Sequence, residues 1–125
     1  MRILLAEDDP LFRQMLKGTI LSAFPDTLVL EAPDSDRALK QVLDNRPGLA
    51  FVDILMPGGN GLELTKQIKS SHPDVKVVIL TNHDTLEHRE AAKACGADDF
   101  LAKSTVSPRD IEAAVKAFMP RDQPG

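Results

Sequence analysis

The chain holds a single cysteine, Cys95, among 125 residues. No internal disulfide can form, and this usage fits a reducing compartment. Cys95 itself is expected to be a small buried hydrophobe. Long hydrophobic runs are also missing. None approaches the roughly 18 residues that a membrane-spanning helix needs. Met1-Arg2 leads into a run of four apolar residues, too short for the core of a secretory signal. Positive charge is in deficit: 15 Lys and Arg stand against 19 Asp and Glu, for a net charge of −4. That argues against a nucleic-acid-binding surface in this segment. The three histidines, His72, His83 and His88, lie in different loops or at a five-residue step, which does not make a zinc site. There are no repeats or low-complexity segments. The expected location is cytoplasmic, with no membrane contact.

What remains is ordinary for one soluble globular domain, with 42% apolar and 27% charged residues. Short apolar runs at 3–6, 27–32, 49–52, 75–80 and 99–102 read as strands. Helical periodicity fills the gaps. Asp9 and Pro10 open the first helix, with Phe12, Met15, Leu16, Ile20 and Ala23 at three- and four-residue steps. Asp34 or Ser35 caps a second helix, with Ala38, Leu39, Val42 and Leu43 on one face. A third carries Leu64 and Ile68. The fourth spans about 85–94, with Leu86 its only large aliphatic and Gly96 just beyond its end. Ser107-Pro108 opens the fifth, whose apolar face is Ile111, Val115 and Phe118. Residues 1–119 form the domain, and 120–125 read as a tail or the start of a linker.

Five strands alternating with five helices imply a parallel sheet with right-handed crossovers covering both faces. The polar ends of 27–32 suit an edge strand, and the apolar run at 49–52 suits the centre. The strand order 2-1-3-4-5 satisfies both.

In that order the strand ends gather on one edge. Glu7 and Asp8 follow strand one, Asp53 ends strand three, Thr81 ends strand four and Lys103 ends strand five. A lone Asp at such a place also serves as a turn former or helix cap, and capping accounts for Asp9 and for one more of its neighbours. It does not account for three acids together with Asp53. Carboxylates this close repel unless a cation joins them or a proton stays on. Oxygen ligands with room for water suit Mg²⁺. With a hydroxyl at Thr81 and an ammonium at Lys103, the set has the parts for phosphoryl transfer to an acid.

At these residues the chain resembles the receiver domain of two-component response regulators. The resemblance rests on the acid pair after strand one, Val-Asp-x-x-Met-Pro at 52–57, Thr81, Gly-Ala-Asp at 96–98 and Lys103, in that order and spacing. It implies a flavodoxin-like (CheY-like) three-layer αβα sandwich. It implies that Asp53 accepts a phosphoryl group from a sensor histidine kinase or a histidine phosphotransfer protein. Glu7, Asp8, Asp53 and the backbone carbonyl of Leu55 would hold Mg²⁺ or Mn²⁺. Thr81 and Lys103 would hold the phosphoryl oxygens, and Thr81 and Phe100 would act as the switch pair. The chain would catalyse only its own phosphorylation and dephosphorylation. The fourth helix, fifth strand and fifth helix would form the surface that changes, including for homodimerisation.

Some positions depart from the commonest pattern. Ser104 follows Lys103 where many members carry proline, and this resembles receivers joined to LuxR/NarL-type helix-turn-helix output domains. Asn82, Leu55 and His83 occupy positions that tune access and hydrolysis. Gly59 and Asn60 replace a frequent Met-Asp. Leu11, beside Pro10, reads as an exposed contact for the phosphoryl donor or as an ordinary surface leucine. The alternative output is a stand-alone receiver acting through protein contacts. A haloacid-dehalogenase-like phosphatase would need Asp-x-Asp after strand one, where Glu7-Asp8-Asp9 stands. A flavodoxin-like cofactor binder would need a phosphate loop there, which an acidic loop opposes.

Overall fold

Each apolar run becomes a strand of one parallel sheet in a computed structural model that describes residues 1–82 and 85–119. The strands are β1 (Arg2–Ala6), β2 (Leu28–Ala32), β3 (Leu49–Asp53), β4 (Lys76–Thr81) and β5 (Asp99–Ala102). The helices between and after them are α1 (Pro10–Ala23), α2 (Ser35–Asn45), α3 (Gly61–Ser71), α4 (Leu86–Ala94) and α5 (Pro108–Phe118). The sheet order is β2-β1-β3-β4-β5, as expected. β3 is central and every residue in it is buried. His83 and the expected tail at 120–125 lie outside the described residues.

Alternation along the strands divides the core in two. Leu4, Ala50, Val52, Val77 and Ile79 pack with α2, α3 and Ala92 of α4 on one face. Ile3, Leu5, Leu49, Phe51, Val78 and Leu80 pack with α1 and α5 on the other. Caps fall where the sequence puts them. The Asp9 side chain accepts from the N–H groups of Leu11 and Phe12, Asp34 accepts from Arg37, and Ser107 and Asp110 close a reciprocal capping box. Gly96, at φ 94°, ends α4 in the left-handed region as foreseen.

Two expectations change, and two further features appear. Met15 and Leu43 are exposed, because Leu16 with Ile20 and Ala38 with Val42 fill the buried stripes of α1 and α2. Cys95 is only half-buried, since it caps α4 rather than facing the core. Leu86 does not anchor α4: it is 71% exposed, and Ala92 is that helix's only buried residue. The glycine-rich loop after β3 folds into a two-residue antiparallel ribbon, Leu55–Met56 against Gly59–Asn60. Pro57 with Gly58 at φ 83° makes its turn. Among the described residues, no helix is long and apolar enough to cross a membrane.

An ion cluster ties α1 to β2. Arg13 Nε and Lys17 Nζ reach the two oxygens of Glu31 at 3.0 and 3.2 Å. Burial alone would push the Glu31 carboxyl up, but the bonds from Lys17 and Arg13 outweigh it and hold it below 4.5. A depressed carboxyl adds stability that is present above the unfolded value and fades as pH falls through the folded one. Glu31→Gln should therefore cost about 0.5–1 kcal/mol at pH 7. Urea melts of the two proteins should converge as the pH is lowered through the acid range, and a gap that persists unchanged there would contradict the assignment.

Candidate functional site

Strand parity assembles the site. Glu7 continues the face of Ile3 and Leu5, Asp53 that of Leu49 and Phe51, and Lys103 that of Leu101. All three thus fall on the α1/α5 side of the sheet's carboxyl edge, where β1 and β3 are neighbours and the chain reverses direction across the sheet. Oxygens of Glu7, Asp8 and Asp53 lie within 4.8 Å of one another. Glu7 and Asp53 are buried and Asp8 is exposed. Asp9 is spent on its helix cap.

Lys103 Nζ sits 2.6 Å from Glu7 Oε1 and 3.0 Å from Asp53 Oδ2. It also lies 4.8 Å from the centre of the Phe12 ring, over whose face an ammonium is attracted. The Asp53 contact is a hydrogen bond. The Glu7 contact is close but not aligned as one, so Oε1 remains buried with acceptor capacity unfilled. The other Asp53 oxygen accepts the Leu55 N–H at 3.3 Å, and Glu7 Oε2 accepts the Asp9 N–H at 3.0 Å.

Burial raises the Glu7 carboxyl from 4.5 to about 7, against the pull of Lys103 and with the help of the Asp53 charge. An acid raised in the fold keeps a proton that the unfolded chain has released, so its contribution to stability declines as pH climbs from 4.5 to about 7. Burial would lower the Lys103 ammonium, but the nearby Glu7 and Asp53 carboxylates prevail and raise it. The pocket is thus short of positive charge. Its donors are hard carboxylate oxygens, one buried oxygen lacks a hydrogen-bond donor, and Asp8 opens it to water. These features fit a small oxygen-seeking divalent cation.

Thr81 and Phe100 lie on the opposite side. They continue the face of Val77 and Ile79, toward α3 and α4. Thr81 is buried at the end of β4, and its carbonyl accepts the Lys103 N–H at 2.7 Å. Phe100 is partly buried and the Arg89 guanidinium of α4 lies 4.9 Å over its ring. The Lys103–Ser104 peptide is trans. The Leu55 side chain is 62% exposed and Leu11 is 82% exposed, both close in sequence to the acids. The sheet edge therefore brings together Glu7, Asp8, Asp53 and Lys103, while Thr81 and Phe100 lie on the other face.

Two neighbours of the site escape a reading based on apolar spacing. Gly61 opens α3 directly beneath Asp53: a Cβ on it would lie 2.1 Å from the Asp53 carbonyl oxygen. Arg13 reaches back from α1 to the backbone of Glu7. For Arg13 a signal existed, since a basic residue one turn past the Asp9 cap faces back toward the strand end.

A doubly wound sheet with acids and a lysine at its switch point has clear relatives. Residues 3–116 match the response regulator receiver domain, and the chain belongs to that family. Response regulator MprA of Mycobacterium leprae is 33% identical over 124 residues, which are 99% of this chain and 53% of the relative. The chain spans about half the length of the curated relatives it matches. The response regulator receiver domain protein (CheY-like) of Methanospirillum hungatei JF-1 superposes with a TM-score of 0.84 at 28% identity, over 93% of this chain and 90% of that one. The LuxR-family two-component response regulator of Aurantimonas sp. SI85-9A1 gives a TM-score of 0.84 at 26% identity, over 93% and 82%.

Proposed function

We propose that residues 1–119 form a phosphorylation-dependent switch in which Asp53 is the phosphoryl acceptor. The observation that carries this is the buried Asp53 carboxylate, held 3.0 Å from Lys103 Nζ within a cluster of three acids. The donor is a phosphohistidine on a sensor kinase or phosphotransfer protein. An Asp53 oxygen forms the new P–O bond as the P–N bond to the donor imidazole breaks, and the ring leaves with its electron pair. Glu7, Asp8, Asp53 and the Leu55 carbonyl would hold Mg²⁺ or Mn²⁺. Bound there, the cation supplies charge that offsets the acids and the phosphoryl oxygens. Lys103 turns its ammonium to those oxygens, and Thr81 moves toward them from the other face to donate its hydroxyl. The chain catalyses its own phosphorylation and dephosphorylation and nothing further.

The signal leaves by the other face. Thr81 and Phe100 share it with α4, a helix with one buried residue. A helix held so lightly changes position for a few kcal/mol, so the surface of α4, β5 and α5 is the part that phosphorylation resets. This surface binds a partner or a second copy of the chain. The curated relatives run to about twice this length, which leaves room for a separate output domain; the output we propose is transcription through a DNA-binding domain, in the cytoplasm.

Radiolabelled acetyl phosphate tests the acceptor. Label should enter the chain only with Mg²⁺ and resist removal on denaturation until alkali is added. Asp53→Asn should abolish it, and label that survives in this variant would remove Asp53 from its role.

A further inference from the structure

We propose that Arg13 is a positioning residue for the acid pair, fixing the peptide that joins Glu7 to Asp8. The inference rests on the metal reading above and concerns what holds the ligands in place.

Asp8 is exposed, so the reach of its carboxylate depends on the backbone that carries it. That backbone is held on both sides of Glu7. The Glu7 N–H donates to the Ala32 carbonyl at 3.0 Å, continuing the β1–β2 ladder by one residue. The Glu7 carbonyl, which has left the ladder, accepts from Arg13 Nη1 at 2.7 Å. This carbonyl and the Asp8 N–H belong to one planar peptide, so a bond to the first orients the second. Arg13 is in turn held: its Nε donates to Glu31 Oε1 at 3.0 Å, and Lys17 takes the other Glu31 oxygen at 3.2 Å.

The planar guanidinium suits this task. One nitrogen meets a carbonyl on β1 while another meets a carboxylate on β2, in a fixed mutual geometry that a lysine's single ammonium cannot reproduce. Arg13 sits in the first turns of α1, anchored by the Asp9 cap. Cap, fork and ladder thus converge on three consecutive residues, Glu7 to Asp9. Groups that orient metal ligands without touching the metal commonly change affinity by 10–100-fold when removed.

The experiment follows backbone amides by NMR during Mg²⁺ titration of the unphosphorylated chain, for wild type, Arg13→Met and Glu31→Gln. Arg13→Met keeps the aliphatic stem and loses the fork. It should raise the Mg²⁺ Kd about tenfold and shift the Asp8 amide resonance before any metal is added. Glu31→Gln keeps Arg13 and weakens its anchor, so the Kd should rise by about threefold. Thermal melts run alongside. A variant that melts earlier but binds Mg²⁺ like wild type would reduce Arg13 to a tie between α1 and β2 and overturn the proposal. If Arg13→Met fails to fold, an unchanged Kd in Glu31→Gln overturns it equally. A wild type that shows no Mg²⁺-dependent shifts would overturn the metal reading itself, and the positioning role with it.

Discussion

Gly61→Ala should destabilise the fold by about 3 kcal/mol and lower its melting temperature by roughly 10 °C. The usual case for glycine, a positive φ, does not apply here; the cause is contact. A Cβ at Gly61 would lie 2.1 Å from the Asp53 carbonyl oxygen, 2.8 Å from its carbonyl carbon and 2.9 Å from Val52 Cγ1. Two of these atoms are backbone at the end of the central strand, whose neighbours on both sides are themselves fully laddered. They cannot rotate away as a side-chain tip could. Nor can α3 retreat freely: the Gly61 N–H donates to the Ile54 carbonyl at 2.7 Å, and Thr65 returns its hydroxyl to the Gly61 carbonyl at 2.7 Å. The strain therefore falls on Asp53, and uptake of label from acetyl phosphate should drop along with stability. Gly18→Ala provides the contrast. It lies exposed in the middle of α1 with nothing within 4 Å of a new Cβ, so it should gain about 0.5–1 kcal/mol from helix propensity alone. Paired thermal melts decide the matter. A Gly61→Ala protein that melts with wild type would show that the end of β3 yields more easily than its packing implies.

The contrast between these glycines marks how far the sequence is legible. Strand and helix assignments come from local patterns, and here they survive because the folded chain satisfies them in place: the apolar run at 49–52 is buried throughout, and Asp9, Asp34 and Ser107 cap where caps were expected. The site is legible for a related reason. Parallel strands put all their carboxyl ends on one edge, so naming the strand ends names Glu7, Asp8, Asp53, Thr81 and Lys103. The finer division needs the register between strands. Alternation within each strand gives its two faces, and the register that sets Asp53 beside Leu80 then separates the acids and lysine from Thr81 and Phe100. What was not legible needs three dimensions. Leu86 has the composition of an anchor, but whether it faces the core depends on how α4 rolls against β5. The role of Gly61 depends on the height at which α3 starts above the sheet, and the fork of Arg13 depends on Glu31, eighteen residues away on another strand.

Lys103→Met should cost the metal-free protein about 3 kcal/mol at pH 7 and make its stability far more dependent on Mg²⁺. Methionine keeps the stem while removing the ammonium that lies over the Phe12 ring and that is, among the described residues, the one cation within reach of two buried carboxylates. Glu7 and Asp53 have side chains 0% and 7% exposed, so water can screen little of their repulsion. The chain's remaining response is to hold protons. Glu7 already titrates near 7 with Lys103 present; without it, Glu7 should climb further. An acid raised in the fold subtracts stability as pH rises, so the deficit should be largest above neutrality and shrink as pH falls below 4.5, where Glu7 is protonated in the folded form of either protein. Mg²⁺ acts in the opposite sense. In wild type a cation must share these oxygens with the ammonium at 2.6 and 3.0 Å, whereas in the variant it meets them unpartnered. At one hundred times its Kd a ligand adds about 2.7 kcal/mol, and because the variant's Kd should be lower, its melting temperature should rise more at the same Mg²⁺ concentration. Recovered stability should not bring recovered chemistry, since the ammonium that would hold the phosphoryl oxygens is gone. Melting curves over a grid of pH and Mg²⁺, with acetyl phosphate labelling at each saturating point, separate these effects. Equal Mg²⁺ responses in the two proteins would mean that lysine and cation do not compete for one set of oxygens. Full labelling in the variant would mean that Lys103 stabilises the acids without serving the phosphoryl group.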